Sequence, residues 1–307
     1  MKLFKNIFIT LIKILTFIPK YSIKGIKVFF SDNKQKNLKI EDKIIPIIIT
    51  SLSIITYLIC IFLLTRWFIQ SERTQQFSDE LIKETDTISK TESQSNQKNN
   101  NKQKARYNYK YPDDLSFLNV NLNPYIKINS ETVAWIQVNG TSISYPVVQN
   151  KNNDFYLNHD FYKRKTDIGA IFADYRDNFE DFNENTIIYG HNIVNKTMFG
   201  QIPNLLYKNW QNHEGYHYIK LSTKKTNTIW QVFSTYEIKP TIDYLQSIFN
   251  STDNYEKFLT LIKNRSNYNY NVEVTYEDKI ITLSTCNNAG NKRVVVHAKL
   301  INLEYKK

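Results

Sequence analysis

The spacing of apolar and polar positions divides the chain into zones. Ile44 to Leu64 is a run of 21 residues without a charge. That is enough for one helix across a bilayer core of about 30 Å at about 1.5 Å per residue. Residues 70–106 are polar, rich in Ser, Thr, Gln, Asn, Lys and Glu. Such a composition cannot bury a core, and it reads as a stalk, partly helical around Asp79 to Lys90. From Tyr107 onward short apolar runs alternate with turn residues. Thr132–Val138 and Thr141–Val148 flank Asn139-Gly140, a strong hairpin signal. Ile168–Ala173, Asn185–Tyr189, Tyr216–Leu221, Thr228–Ile238, Lys279–Thr285 and Arg293–Ile301 complete eight predicted strands. One or two short helices are expected over Asp113–Lys127 and a helical turn over Asn153–His159. The single long helix is predicted at about Asn254–Asn264, with Phe258, Leu259 and Ile262 at helical spacing. Eight strands with few helices predict a mainly β fold, a closed or nearly closed barrel rather than an alternating α/β sheet.

Charge sharpens the first zone. Residues 1–43 hold ten lysines against Asp32, Glu41 and Asp42, so +7 of the formal +11 lies there. The remainder is too thin for a stripe that follows phosphates, which argues against nucleic acid. Leu3 to Ile18 resembles a signal-peptide core, yet Lys5 and Lys13 interrupt it and no small-x-small cleavage site follows. A basic amphipathic helix on the inner leaflet is the better reading, with a poorly structured basic tail as the alternative. Lysines before the span keep the N-terminus cytoplasmic. The predicted organisation is a basic cytoplasmic segment (1–43), a single-pass anchor in membrane lipid (44–66), a polar stalk (67–106) and an extracellular domain (107–307). Arg66-Trp67-Phe68 supplies an interfacial anchor.

Candidate chemistry centres on Cys286. The chain has two cysteines, and Cys60 lies in the apolar run, so the polar domain cannot form an internal disulfide. If the last two strands pair antiparallel, Cys286 and Arg293 stand at the same end of neighbouring strands. A lone cysteine at a strand end also serves as a small buried apolar residue, so position alone leaves both readings open. A nucleophilic thiol needs a base or an electropositive setting, and donors for the oxyanion. Of five histidines, His213 and His217 read as surface residues and His297 as facing outward from the last strand, while His159 is ambiguous. His191 ends the buried run Thr186–Tyr189 after Gly190, a position where catalytic groups often sit. Scattered Cys and His give no paired metal-ligand spacing, and the domain has no Gly-rich phosphate loop. No cofactor is implied.

Thr282-Leu283-Ser284-Thr285-Cys286 with Arg293, and Tyr189-Gly190-His191-Asn192 upstream, resemble the sortase family. Val133-Ala134-Trp135-Ile136, Tyr145-Pro146-Val147-Val148-Gln149, Asp154-Phe155-Tyr156-Leu157 and Gly169–Arg176 are similar to class B sortases in particular. The resemblance covers roughly residues 110–305. It implies a barrel of about eight strands and a cysteine transpeptidase of a Gram-positive cell surface. Cys286 would be the nucleophile, His191 the general acid/base and Arg293 the oxyanion or substrate-positioning cation. The implied partners are surface proteins bearing a C-terminal sorting signal, and an amine on peptidoglycan or its lipid-linked precursor. Asn153, Leu157, Tyr189, Ser284, Tyr244 and Leu245 match positions beside the family's substrate groove. A pilin-polymerising sortase and an inactive barrel that binds sorting signals or peptidoglycan are the alternatives. The Cys-to-Arg loop is a departure: six residues, Asn287 to Lys292, where many class B relatives have a longer loop with an acidic residue.

Overall fold

The computed structural model describes residues 48, 50–66, 68, 69, 72, 76, 115–286 and 290–306. The chain divides into two units, Met1–Ser71 and Glu72–Lys307. In the first, 50–66 is an uninterrupted helix. Among the described residues no helix is long and apolar enough to cross a membrane. The expected span begins at Ile44, outside them, and the expected basic segment 1–43, nearly all of the stalk and Asn287-Asn288 also lie outside them.

The second unit holds a closed barrel of eight strands. They are β1 (Thr132–Val138), β2 (Ser144–Val148), β3 (Phe172–Ala173), β4 (Asn185–Tyr189), β5 (Tyr218–Thr223), β6 (Thr226–Ile238), β7 (Ile280–Cys286) and β8 (Arg293–Tyr305). The order around the barrel is β1-β2-β3-β4-β7-β8-β6-β5, with β5 closing onto β1. Most neighbours are antiparallel, but β2–β3 and β4–β7 are parallel. Among the described residues of this unit three α-helices accompany the sheet, α1 (Asn123–Ile128), the single turn α2 (Lys208–Gln211) and α3 (Thr252–Asn264), with short 3-10 helices at Phe155–Leu157, Ile202–Leu206 and Glu214–Tyr216.

Local chemistry explains these elements. Pro146 sits inside β2, where a missing N–H would break a ladder. The N–H of Val148 points away from β1, to the Ile171 carbonyl at 3.1 Å. Pro146, two residues earlier, directs its nitrogen to that same side, where β3 reaches only Val148. The α3 helix starts at Ser251, whose hydroxyl accepts from the Asn254 N–H at 3.3 Å. It buries Tyr255, Phe258, Leu259 and Ile262, the i, i+3, i+4, i+7 face of an amphipathic helix. The Ser234 hydroxyl of β6 donates to the Ile262 carbonyl at 2.6 Å, tying α3 to the outside of the barrel.

Several expectations shift. The run Ile168–Ala173 yields only a two-residue strand, because Gly169 turns at φ +64° and Ala170 donates back to the Tyr156 carbonyl. The start of the second predicted strand becomes a turn, where the Thr141 hydroxyl donates to the Val138 carbonyl at 2.7 Å. His297 does not face outward to solvent. Phe233 and Tyr236 of β6 pack against its ring and Thr282 of β7 bonds it, so His297 is fully buried. His217 is also buried, packed edge-on against Tyr270 with Nε2 donating to the Gln211 carbonyl at 2.7 Å.

Candidate active site

The site follows from one topological fact. β4 runs parallel to β7, in register from Asn185↔Ile280 to Tyr189↔Ser284. The chain leaving β4 toward His191 therefore emerges at the same end of the sheet as the chain leaving β7 at Cys286. β8 runs antiparallel to β7, and Cys286 pairs with Arg293, so β8 begins at that end too. Side chains alternate along a strand. Positions 282, 284 and 286 of β7 share a face with 293, 295 and 297 of β8 and with 185, 187 and 189 of β4. For Cys286 the described geometry is that of the backbone.

The ladder continues past β4, with the Gly190 N–H donating to the Ser284 carbonyl at 3.3 Å. Glycine is needed there: a Cβ at 190 would lie 2.7 Å from the Phe199 ring. The His191 carbonyl then accepts from the Phe199 N–H at 3.1 Å, which turns the loop and presents the imidazole. His191 Nε2 lies 2.7 Å from the Leu157 carbonyl oxygen. A carbonyl only accepts, so Nε2 carries a hydrogen and Nδ1 is the basic nitrogen of the neutral ring. The slot for this ring is cut by Gly169, where a Cβ would lie 2.8 Å from His191 Cδ2 and 2.6 Å from the Tyr156 carbonyl. Arg293, half-buried, supplies a guanidinium that stays charged through any proton transfer.

The remaining groove candidates divide by exposure. Leu157 is exposed, and Asn153, Tyr189 and Leu245 are half-buried. Tyr244 is 1% exposed and Ser284 5%, with their hydroxyls 3.0 Å apart. These two lie in the floor of the structure rather than on its surface.

Asp174 and Arg176 are functional candidates that sequence reasoning passed over. The Asp174 carboxylate is fully buried and accepts from Arg176 Nε at 2.7 Å and Arg176 Nη2 at 2.8 Å. It also accepts from Asn153 Nδ2 at 2.8 Å and from the Tyr189 hydroxyl at 2.9 Å. Burial pushes its acidity the other way, but the hydrogen bonds from Arg176, Asn153 and Tyr189 hold the carboxyl below its ordinary range. Burial first, then the Asp174 charge, raises Tyr189 well above a normal phenol. Nearby Asp177 accepts from the Ile187 N–H at 2.7 Å, and burial pushes it up to about 8. The available signal was an Asp-x-Arg pair in an otherwise apolar stretch, Ala170–Arg176.

Comparison with known proteins identifies the family of this barrel. Residues 136–301 match the Sortase domain family. The chain is 39% identical over 178 residues to Sortase B of Staphylococcus aureus, covering 57% of this chain and 72% of that protein. It is 35% identical over 201 residues to Sortase B of Listeria monocytogenes, covering 62% and 80%. The solved Staphylococcus aureus sortase B–substrate complex superposes with a TM-score of 0.55 at 38% identity, covering 59% of this chain and 84% of that one.

Proposed function

The chain belongs to the sortase family as a class B cysteine transpeptidase, and from that premise we propose that it is membrane-anchored and transfers sorting-signal proteins to an amine through a thioester on Cys286. The observation that carries this is the parallel β4–β7 pair, which brings the His191 loop and the Cys286–Arg293 strand ends to one end of the barrel.

The Cys286 thiolate attacks the carbonyl carbon of the scissile peptide bond. The electron pair of the C=O moves onto oxygen, and Arg293 holds that oxyanion. The tetrahedral species collapses, the C–N bond breaks, and protonated His191 delivers its Nδ1 proton to the leaving amine. The thioester keeps the acyl group activated. An incoming amine gives a proton to Nδ1 and attacks the thioester carbon, a second tetrahedral species collapses, and the thiolate leaves. Because the Leu157 carbonyl holds Nε2–H, the same nitrogen, Nδ1, gives the first proton and takes the second. Asn153, Leu157, Tyr189 and Leu245 border the peptide groove in this reading, and Ser284 and Tyr244 support its floor.

That the Staphylococcus aureus sortase B has been solved as a substrate complex supports a substrate bound by this barrel. The acceptor is an amine on peptidoglycan or its lipid-linked precursor. Ile44–Leu64, after a lysine-rich segment, anchors the chain once with its N-terminus in the cytoplasm and the barrel outside. The test uses full-length chain in detergent, a pentapeptide library and triglycine as amine. Cleavage becomes ligation when triglycine is present, and a covalent acyl adduct appears on Cys286. Turnover that survives in Cys286→Ala overturns the mechanism. Binding without any adduct favours an inactive recognition barrel, and faster transfer to a protein lysine than to triglycine favours pilin polymerisation. Protease digestion of intact cells tests the topology, which requires the barrel to be cleaved from outside.

A further inference from the structure

The chain between β6 and α3, residues 239–251, has no regular secondary structure, yet it walls the outer face of β4 and β7. It exposes Ile242 (83%) and Ile248 (60%) to solvent. Buried and half-buried side chains hold part of it: Tyr244 meets the Ser284 hydroxyl at 3.0 Å, the Ser247 hydroxyl donates to Asp177 at 3.4 Å, and Phe249 packs against Tyr255 and Phe258 of α3. The backbone and an ion pair add to this: the Asn185 amide donates to the Gln246 carbonyl at 2.8 Å, the Asn185 N–H to the Ser247 carbonyl at 3.2 Å, and Arg265 pairs with Asp243. Arg176 reaches the same segment, its Nη2 donating to the Leu245 carbonyl at 3.0 Å.

Arg176 at the same time closes a bidentate pair on Asp174, and that carboxylate holds Asn153 and Tyr189. Asn153 is fully oriented, since its Oδ1 accepts from the Tyr175 N–H at 3.0 Å. One ion pair thus touches three separate segments: the turn before the 155–157 helix, the end of β4, and the 239–251 wall. The Asp174 carboxylate is fully buried but the Arg176 side chain is 39% exposed, so solvent screens the attraction while burial of Asp174 opposes it, and the pair is poorly suited to stability alone. Its advantage is directional. The planar fork of Arg fixes two partners at defined angles.

We propose that the Asp174–Arg176 pair is a positioning device that sets the separation of the two groove walls, with Asp174 fixing Asn153 and Tyr189 on one side and Arg176 fixing the Leu245 backbone on the other. The proposal rests on the peptide groove placed above. Neither residue touches the reacting atoms; both act through the residues they hold. Arg176→Lys is the sharpest variant. It keeps the positive charge beside Asp174, so no buried charge is orphaned, but a single ammonium cannot span both the carboxylate and the Leu245 carbonyl in the same geometry.

The experiment uses full-length chain in detergent and the member of the fluorogenic pentapeptide library that wild type turns over fastest. Losing one hydrogen bond of this type is expected to raise KM by about 3- to 10-fold in Arg176→Lys, with kcat changed less than about twofold. The same loss should appear as weaker binding of that peptide in Cys286→Ala/Arg176→Lys than in Cys286→Ala. The double variant Asp174→Asn/Arg176→Gln, which removes both charges together, should show the KM effect and a broadened side-chain preference across the library. Unchanged KM and unchanged affinity overturn the proposal while leaving the transpeptidase reading intact. So does a fall in kcat that tracks lost thermal stability, with KM constant. If Cys286→Ala binds peptide but wild type forms no thioester, the mechanism fails, and the affinity ratio of the tightest-bound library member still decides the role of Arg176. A chain that binds no library peptide overturns both.

Discussion

Two levels of the same strand pair, four residues apart, do opposite things. At the inner level Thr282 of β7 faces His297 of β8, and at the outer level position 286 faces Arg293. The inner level is closed. His297 Nδ1 and the Thr282 hydroxyl lie 2.8 Å apart, Nε2 and the Tyr236 hydroxyl 2.9 Å, and Thr282 donates on to Asn185 Oδ1 at 2.6 Å. Both ring nitrogens are used. Burial chiefly, with the nearby Arg265 charge, drives its pKa down to about 3, so the ring is neutral under any physiological condition. At the outer level the histidine arrives from another strand's loop. It has one nitrogen committed to the Leu157 carbonyl and the other left for chemistry. A histidine exchanges protons with substrate when a nitrogen is left unbonded and reachable, and closeness in sequence to the reactive strand does not supply that.

The largest test of this contrast is His191→Gln. It should lower transfer by about 100- to 10,000-fold, the usual worth of general acid–base catalysis, with little change in melting temperature. His297→Leu should do the reverse. It strands the Tyr236 hydroxyl and one side of Thr282, at a cost of about 2–3 kcal/mol, read as a melting point about 5–10 °C lower, with activity per folded molecule kept. A His297 variant that loses kcat without losing stability would break the comparison. Arg293→Lys tests the third member of the site. The charge remains but the fork that can follow a moving oxyanion is lost, so kcat should fall about 100-fold, within the range of a lost oxyanion donor.

How much of this was written in the sequence differs between the two levels. The barrel was legible because period-two alternation and Asn139-Gly140 act locally. The outer level was legible because Cys286, Arg293 and Tyr189-Gly190-His191 end their strands, and strand ends are where a turn residue interrupts the pattern. The inner level was not. His297 breaks the phase of Val294 and Val296, which suggests solvent, but Phe233 and Tyr236 from β6 cover its ring, and only tertiary packing reveals it. His217 was misread for the same reason, since Tyr270 reaches it from 53 residues away in sequence. Asp174 and Arg176 are neighbours in sequence, but their partners Asn153, Tyr189 and Leu245 come from three distant segments.

Stability against pH carries two buried contributions of opposite sign. His297 titrates near 3 when folded and about 6.5 when unfolded, so the unfolded chain binds the extra proton. Its contribution is present above about 6.5 and is lost as pH falls toward 3. Asp177, which accepts from the Ile187 N–H of β4 in register with Thr282, titrates at about 8 folded against about 3.9 unfolded. The folded chain binds the extra proton, so this contribution is present below about 4 and is lost as pH rises toward 8. Each has a slope of at most about 1.4 kcal/mol per pH unit. Between about 4 and 6.5 the two oppose each other, and above 6.5 only the Asp177 loss continues. The melting temperature of wild type should therefore fall from pH 6.5 to 8. In Asp177→Asn, whose amide oxygen can still accept from the Ile187 N–H, that fall should disappear and a rise from pH 4 to 6.5 should emerge. A wild-type curve that is flat from 6.5 to 8 contradicts the buried, neutral Asp177.

The smallest effect lies between the two levels, at Ser284. Its hydroxyl meets the Tyr244 hydroxyl at 3.0 Å, one step inward from position 286 on the shared face. Tyr244→Phe deletes one partner of a neutral pair and leaves the buried ring, so the expected cost is about 0.5–1.5 kcal/mol in stability. If Ser284 belongs to the inner, structural level, that is all that happens. If it belongs to the groove floor, the freed hydroxyl can turn toward bound peptide. KM for the peptide should then change by about 2- to 5-fold while stability falls by the same small amount. Ser284→Ala removes the hydroxyl itself and separates the cases, because a structural serine leaves KM unchanged and a floor serine does not. The boundary between the closed and the reactive level of β7 is thus set by whether KM follows residue 284 or begins at 286.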